Sequence, residues 1–452
     1  MEKSLNTHTS ADIESPREDP QAIANAAWHS LFWLVVANAI GVMIAILLLV
    51  PRLNNLLGEW TYGRWIMVHM NLELYGWTAL PLLAFLFALY RADRGASAKW
   101  CRPVLWVWST ALGVGSLSWL SGQSSGKLFL DWSGYARVLF PAALIALWVL
   151  LLVAMTVNRG EEQQRYSIRV VAKVAGLAVL LAVPFLIYAA AGPDSYPAVN
   201  PDTGGPTGTS QLESSLAVVA ILLVLPYGLT RRHAGQAKVV ALAWGTLLAE
   251  SALCAALSRG DISHHLPAQY MSLGSLLVWL PLVPAYYAAF KWNSNTRLWR
   301  LAFLWWWAAL VVTGWVFFLP GVLDRFKFTD GLVGHSFVAM AGFTSSLIIF
   351  VMVQLLGDGG WILNRSRSFY LWHGSVIAYI VVVTIAGWRE GVDPSFTIVP
   401  GLERNILYAL RLLTGVLMLI ASVDWLRDAS TLLREPVLAA PAEPQVLVEK
   451  TA

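Results

Sequence analysis

Apolar residues along this chain gather into stretches of about twenty, separated by short polar segments. An α-helix needs about twenty residues to cross a hydrocarbon core of about 30 Å. Unpaired backbone groups are not tolerated in lipid, so the stretches are predicted to be helices. We predict an all-α integral membrane protein of about twelve transmembrane helices, near residues 28–50, 66–90, 103–121, 137–157, 169–191, 211–230, 238–257, 267–290, 299–319, 333–356, 369–388 and 405–427.

The polar regions outside these stretches are short. Residues 1–27 and 428–452 are predicted to be disordered cytoplasmic tails, which flank a single membrane domain over 28–427. The polar, acidic start of the chain differs from a signal peptide, which has a basic start followed by an apolar run. The loop 192–210 is rich in Pro, Gly and Asp and contains no Lys or Arg.

Composition excludes a water-soluble globule. Hydrophobic residues make up 57% of the chain and charged residues 13%, with a mean hydropathy of +0.59, whereas soluble domains carry about 25% charged residues. The two cysteines, Cys101 and Cys254, cannot supply a disulfide framework or a zinc cluster. The chain also has no Cys-x-x-Cys-His motif, which excludes a covalently attached c-type haem and leaves non-covalent haem possible.

Basic residues predict the orientation in the membrane. The loops after even-numbered segments carry more Lys and Arg than those after odd-numbered segments. Because cytoplasmic loops carry the excess, both termini are predicted to be cytoplasmic. The net charge of +4 follows from this topology, so the expected surroundings are a lipid bilayer, and nothing in the charge pattern indicates a nucleic-acid partner.

The predicted topology divides the eight histidines into two groups. One group falls in the tail or at cytoplasmic helix ends, where we expect solvated or interfacial side chains. Its members are His8, His29, His233 and His373.

The other four histidines fall at the outer side of the membrane. His69 opens the second segment, His264 and His265 precede the eighth, and His335 opens the tenth. Ionisable side chains at membrane depth are costly and tend to mark function, and imidazole is a common ligand for haem iron and copper. Alternatively, His69 is a core histidine bonded to Glu73, and the His264–His265 pair belongs to a polar loop.

Two motifs resemble the subunit I family of haem-copper oxidases, nearest to the cbb class of cytochrome c oxidases. The run WTYGRWIMVHMNLELYGWTALPLLAFLF (60–87) is similar to the family's second helix. The resemblance gives His69 the role of ligand to the low-spin haem. The run SHHLPAQYMSLGSLLVWLPLVP (263–284) is similar to the turn before the eighth helix, where a histidine pair binds copper. The resemblance gives that role to His264 and His265.

A third motif, FTDGLVGHSFVAMAGF (328–343), resembles the family's tenth helix, which carries Gly-His-x-His. His335 matches the first histidine, the proximal ligand of the high-spin haem. Phe337 stands in place of the second, so the bis-histidine ligation of a low-spin haem with His69 is lost. Met340 is one candidate replacement, and a five-coordinate haem on His69, or no haem there, is the other expectation.

Two further positions depart from the family. The region 204–226 lacks the third copper histidine, and Glu213 could either stand in for it or cap the helix. The segment 239–258 lacks the tyrosine that the cbb class crosslinks to a copper histidine. The scaffold is therefore expected to be kept with an incomplete set of metal ligands.

Four ionisable residues fall within other parts of the apolar segments. Glu73 lies four residues after His69 and could orient its imidazole. Glu250 is a candidate for a proton path. These groups, with Arg411 and Asp424, could instead pair with each other or with backbone and hold the bundle together.

The resemblance implies a respiratory subunit in a bacterial inner membrane that binds haem, of b-type, and copper. Such a subunit reduces oxygen or nitric oxide with electrons from a cytochrome c or cupredoxin-like donor. The missing ligands leave open whether the chain is an enzyme. The alternatives are a non-catalytic haem-binding sensor or assembly subunit and a structural subunit on the same fold.

Overall fold

The computed structural model describes residues 20–157, 168–201, 207, 212–257 and 266–434. Within these ranges the chain forms twelve long helices. They are α1 (Pro20–Leu49), α2 (Tyr62–Tyr90), α3 (Gly95–Leu120), α4 (Ala136–Val157), α5 (Ile168–Ala190), α6 (Leu212–Leu229), α7 (Ala237–Leu257), α8 (Pro267–Ala288), α9 (Arg297–Val316), α10 (Asp330–Leu363), α11 (Ser366–Val392) and α12 (Leu402–Arg434).

Eleven of these helices are long and apolar enough to cross a membrane. The exception is α3, which has 26 residues but includes many Trp, Ser and Gly residues that lower its hydropathy. The prediction of an all-α, multi-pass membrane bundle is confirmed at this level. Each predicted segment lies within one of the helices or overlaps it.

Helix packing leaves apolar side chains on the outside of the bundle. Helices α1 and α12 pack along each other, α12 packs on α11, and α11 packs on α10. Helix α5 lies at the periphery, where Val179, Phe185 and Leu186 are each more than half exposed. An exposed apolar surface of this kind suits contact with lipid.

The helix ends meet at two opposite ends of the bundle. End A carries the loops 50–61, 121–135, 191–201, 317–329 and 393–401, and end B carries the loops 91–94, 230–236, 289–296 and 364–365. At end A, Arg404 of α12 donates a 3.0 Å hydrogen bond to the Leu48 carbonyl of α1. At end B, Gln354 donates to the Leu229 carbonyl.

Several predicted boundaries were wrong by several residues. Helices α1 and α3 begin at Pro20 and Gly95, before residues 28 and 103. Helices α10 and α12 continue to Leu363 and Arg434, past residues 356 and 427. The extra turn of α12 is held at end B by an ion pair between Arg365 and Asp428. The remainder of the two predicted tails, 1–19 and 435–452, lies outside the described residues.

Candidate functional site

Helices α2 and α10 each contain a seven-residue π-helical segment. The segments span Leu72–Thr78 and Val338–Thr344. In each segment, a hydroxyl side chain donates a hydrogen bond to the backbone carbonyl of the residue five positions earlier. Thr78 donates to the Glu73 carbonyl at 3.0 Å, and Ser345 donates to the Met340 carbonyl at 2.9 Å. Such π-bulges frequently occur at functional sites.

A glycine in each π segment lets a neighbouring tryptophan approach closely. A Cβ on Gly76 would lie 2.5 Å from the Trp33 Cβ, and a Cβ on Gly342 would lie 2.5 Å from the Trp306 ring. The two segments are also linked, because Trp77 donates a 2.9 Å hydrogen bond to Ser345 Oγ. The π segments are therefore a packed unit in the middle of the bundle.

His69 lies one turn before the first π segment, and its ring faces α1. Nδ1 lies 2.9 Å from the Ala37 carbonyl oxygen. Because a carbonyl can only accept, Nδ1 carries the proton and Nε2 keeps its lone pair. Nε2 has no hydrogen-bond partner among the described residues. The expected orienting role of Glu73 is filled by the Ala37 carbonyl instead.

His335 lies in α10 and faces α9. Nδ1 is 3.1 Å from Thr313 Oγ1, and the Thr313 hydroxyl itself donates to the Ala309 carbonyl at 2.7 Å. Thr313 Oγ1 therefore accepts from Nδ1–H, and Nε2 again keeps its lone pair. Phe317 stacks on the His335 ring at a centroid distance of 5.5 Å. Metal-ligating histidines commonly donate their second ring N–H to a protein oxygen in this way.

Phe337 faces the opposite side of α10 from His335. Its ring stacks on Tyr379 of α11 at a centroid distance of 3.8 Å. Arg411 donates to the Tyr379 hydroxyl at 3.0 Å and forms two hydrogen bonds, of 2.8 and 2.9 Å, with the Asp330 carboxylate. The side chains of Arg411 and Asp330 are only 10% and 13% exposed, so the pair is a buried salt bridge that holds α12 to α10.

The loop 121–135 at end A packs against α2 beside the first π segment. Asn71 donates to Asp131 at 2.9 Å, and Tyr75 donates to the Phe129 carbonyl. Burial raises the pKa of Asp131, while hydrogen bonds from Ser124 and Asn71 oppose that rise. The loop is fixed to its neighbour by Lys127, whose ammonium group donates to the Ala190 carbonyl, the Gly192 carbonyl and Ser195.

The predicted copper ligands His264 and His265 lie outside the described residues. Within the described ranges, no group of three or more His, Cys, Asp or Glu side chains is arranged to hold a metal ion. Glu213 lies in the first turn of α6, where it is within 3.5 Å of Cys254 Sγ. Glu250 is buried and accepts a 2.5 Å hydrogen bond from Trp279.

Two histidines that were expected to be solvated or interfacial are buried. His29 lies 2.8 Å from Ser109 and is 2% exposed. His373 is 8% exposed, in a setting of aromatic rings. The expectation was wrong because these two histidines face neighbouring helices: His29 of α1 contacts α3, and His373 of α11 contacts α9. The sequence pattern of a single helix does not show such contacts. His233 is exposed as expected, and His8 lies outside the described residues.

The resemblance implies haem, and two of the three matching positions in the described chain carry a side chain that can bind iron. His69 and His335 could each hold haem iron through the lone pair of Nε2. The residue at the position of the lost histidine could not, because the Phe337 ring cannot coordinate and is packed against Tyr379. Each haem would therefore have one histidine from the described chain.

No protein-family model matches the sequence, and no curated protein is significantly similar to it. The relationship to haem-copper oxidases thus remains a prediction from the three motifs. Over the ranges that the structure describes, the chain is all-α, and its eleven long, apolar helices are consistent with a multi-pass membrane bundle.

Proposed function

We propose that this chain is a haem-binding membrane subunit of the haem-copper oxidase subunit I type, with His69 and His335 as iron ligands. One observation carries the proposal: both imidazoles donate Nδ1–H to a protein oxygen, which leaves Nε2 as a lone pair. The neighbouring π segments, and the motifs around these two histidines, support the same assignment. Haem would supply a redox-active iron.

The chain's own residues hold and orient these ligands. The Ala37 carbonyl and Thr313 fix the ring orientation and raise the basicity of the two imidazoles. On the opposite side of α10 from His335, Phe337 stacks on Tyr379 and would supply no second ligand to a haem at His69. In the oxidase form of the proposal, His264 and His265 bind a second metal, and an external donor supplies electrons to reduce oxygen or nitric oxide.

A second candidate is a non-catalytic haem-binding sensor, carrier or assembly subunit. The same Phe337–Tyr379 contact favours it, because bis-histidine ligation is how the family's electron-accepting haem is held. The two candidates differ in the second metal. The oxidase requires a copper or iron ion beside haem and consumes oxygen or nitric oxide, whereas the second candidate binds haem without turnover.

Alanine substitutions test the proposed ligands. We expect His69→Ala and His335→Ala each to lower the haem content per purified chain, and the double variant to be colourless, because each removes a residue that would hold haem iron. Haem content is measured from the absorption spectrum against protein concentration. His29→Gln is the matched control, since it replaces a buried histidine that is not a proposed ligand. A double variant with unchanged haem would refute the assignment.

A further inference from the structure

Several buried polar atoms near end B have no hydrogen-bond partner within the described part of the chain, and three of them lie where the same helices meet. These three are His373 Nε2, Trp425 Nε1 and Ser368 Oγ. The three residues are 8%, 0% and 1% exposed, respectively. Buried polar groups without partners are costly and rare, so an unexplained group of them in one region indicates a missing hydrogen-bonding molecule.

These atoms belong to one region, where α9, α11 and α12 meet. The Trp299 ring lies 5.3 Å from the His373 ring and 5.8 Å from the Trp425 ring, between centroids. Ser368 precedes Phe369, whose ring is 4.4 Å from that of His373. The partnerless groups therefore lie among aromatic side chains.

The tautomer of His373 is the reverse of that in the two proposed iron ligands. Trp306 donates its indole N–H to His373 Nδ1 at 3.1 Å, so Nδ1 accepts and Nε2 carries the proton. Trp425 Nε1 is also a donor, and the Ser368 hydroxyl can donate and accept. Two donors and a hydroxyl match a small molecule that both accepts and donates hydrogen bonds.

The region extends toward the surface at end B and inward to α10. On the outer side, Asp428 lies one turn after Trp425 and pairs with Arg365 at 2.5 Å, where the Arg365 side chain is 54% exposed. On the inner side, Trp306 packs against Gly342 in the second π segment. The three partnerless groups therefore lie between the exposed Arg365 side chain and the second π segment.

We propose that His373, Trp425 and Ser368 line a hydrated inlet that opens at end B beside the Arg365–Asp428 pair. Water satisfies the two donors and the hydroxyl, as buried water does for polar groups without protein partners. This inference is independent of whether haem is bound.

Hydroxyl-radical labelling by X-ray radiolysis tests the inlet, because radicals formed from bound water oxidise adjacent side chains. The intact protein is irradiated after a brief exchange into water enriched in oxygen-18, and oxidation is read by mass spectrometry. We expect Trp425 to be oxidised several-fold faster than Trp279 and to incorporate the heavy isotope. Trp279 is equally buried, at 0% exposed, but its N–H is bonded to Glu250. Equal protection of the two tryptophans would overturn the proposal.

A variant tests the part assigned to His373. His373→Leu removes the donor at Nε2, and we expect the labelling of Trp425 to fall toward that of Trp279. His29→Leu is the control, because it removes a buried histidine at another site. Undiminished labelling of Trp425 in His373→Leu would overturn the role of His373. The comparison of tryptophans in the unmodified protein decides the proposal even if this variant does not fold.

Discussion

A single neighbour decides which nitrogen of each buried histidine carries the proton. A carbonyl or an already donating hydroxyl leaves Nε2 as a lone pair in His69 and His335, whereas an indole N–H leaves it protonated in His373. The motifs in the sequence identified the first two residues as candidates. They could not identify the tautomers, because Ala37, Thr313 and Trp306 come from other helices.

Removing the acceptor for His335 should weaken its haem. In Thr313→Val the Nδ1–H loses its partner, so the ring orientation is no longer fixed; we expect haem affinity at this site to fall about 10–100-fold. Haem titration monitored by absorbance measures the change. Thr414→Val is the matched control, because that buried hydroxyl donates only to carbonyls of its own helix. Equal affinity in the two variants would contradict the role of Thr313.

The ion pair of Arg411 and Asp330 should dominate the stability of end A. Asp330→Asn leaves a buried guanidinium without its counter-charge, which costs about 3–5 kcal/mol of unfolding free energy. Glu403→Gln breaks the Arg389–Glu403 pair, whose side chains are both about half exposed, and should cost less than about 1 kcal/mol. Unfolding in detergent measures both. Similar losses in the two variants would show that the buried pair contributes no more than the exposed one.

Among the elements, the helices were predictable and the π segments were not. Length and hydropathy place a helix across Tyr62–Tyr90 and another across Asp330–Leu363. At the π-helical segments Leu72–Thr78 and Val338–Thr344, the helix packs closely against Trp33 and Trp306, which approach from α1 and α9. The hydrophobic pattern of one segment does not show which residues of other helices contact it. That pattern therefore predicts regular α-helices at both places.

The close approach at the π segments makes their glycines intolerant of a methyl group. Gly76→Ala or Gly342→Ala places a Cβ 2.5 Å from a tryptophan, and we expect a loss of about 1–3 kcal/mol from overpacking. Gly374→Ala is the control in the interior of α11, where no atom lies within 4 Å of the added Cβ. That control should be neutral or more stable by up to about 1 kcal/mol. Thermal unfolding in detergent compares the three, and a harmless Gly76→Ala would refute the close packing.

For the whole molecule, hydropathy was sufficient to predict a membrane bundle, and the order of the apolar segments predicted which loops share an end. The family relationship rests on the surroundings of His69, His264, His265 and His335, of which the structure describes two. In those two surroundings, Nδ1 of each histidine lies within hydrogen-bond distance of a protein oxygen. Phe337 stands at the position of the missing histidine and stacks on Tyr379. Under the proposed function, the bundle would hold each haem through one histidine.

The reduced-minus-oxidised absorption spectrum of the purified chain, with haem, iron and copper quantified on the same sample, tests this account most directly. We predict haem bands of a high-spin type, since the proposal gives each haem iron a single histidine from the described chain, His69 or His335. Copper or non-haem iron in near-equal amount to haem would add the second metal of an oxidase. A colourless, metal-free protein would contradict the account and leave only the membrane scaffold.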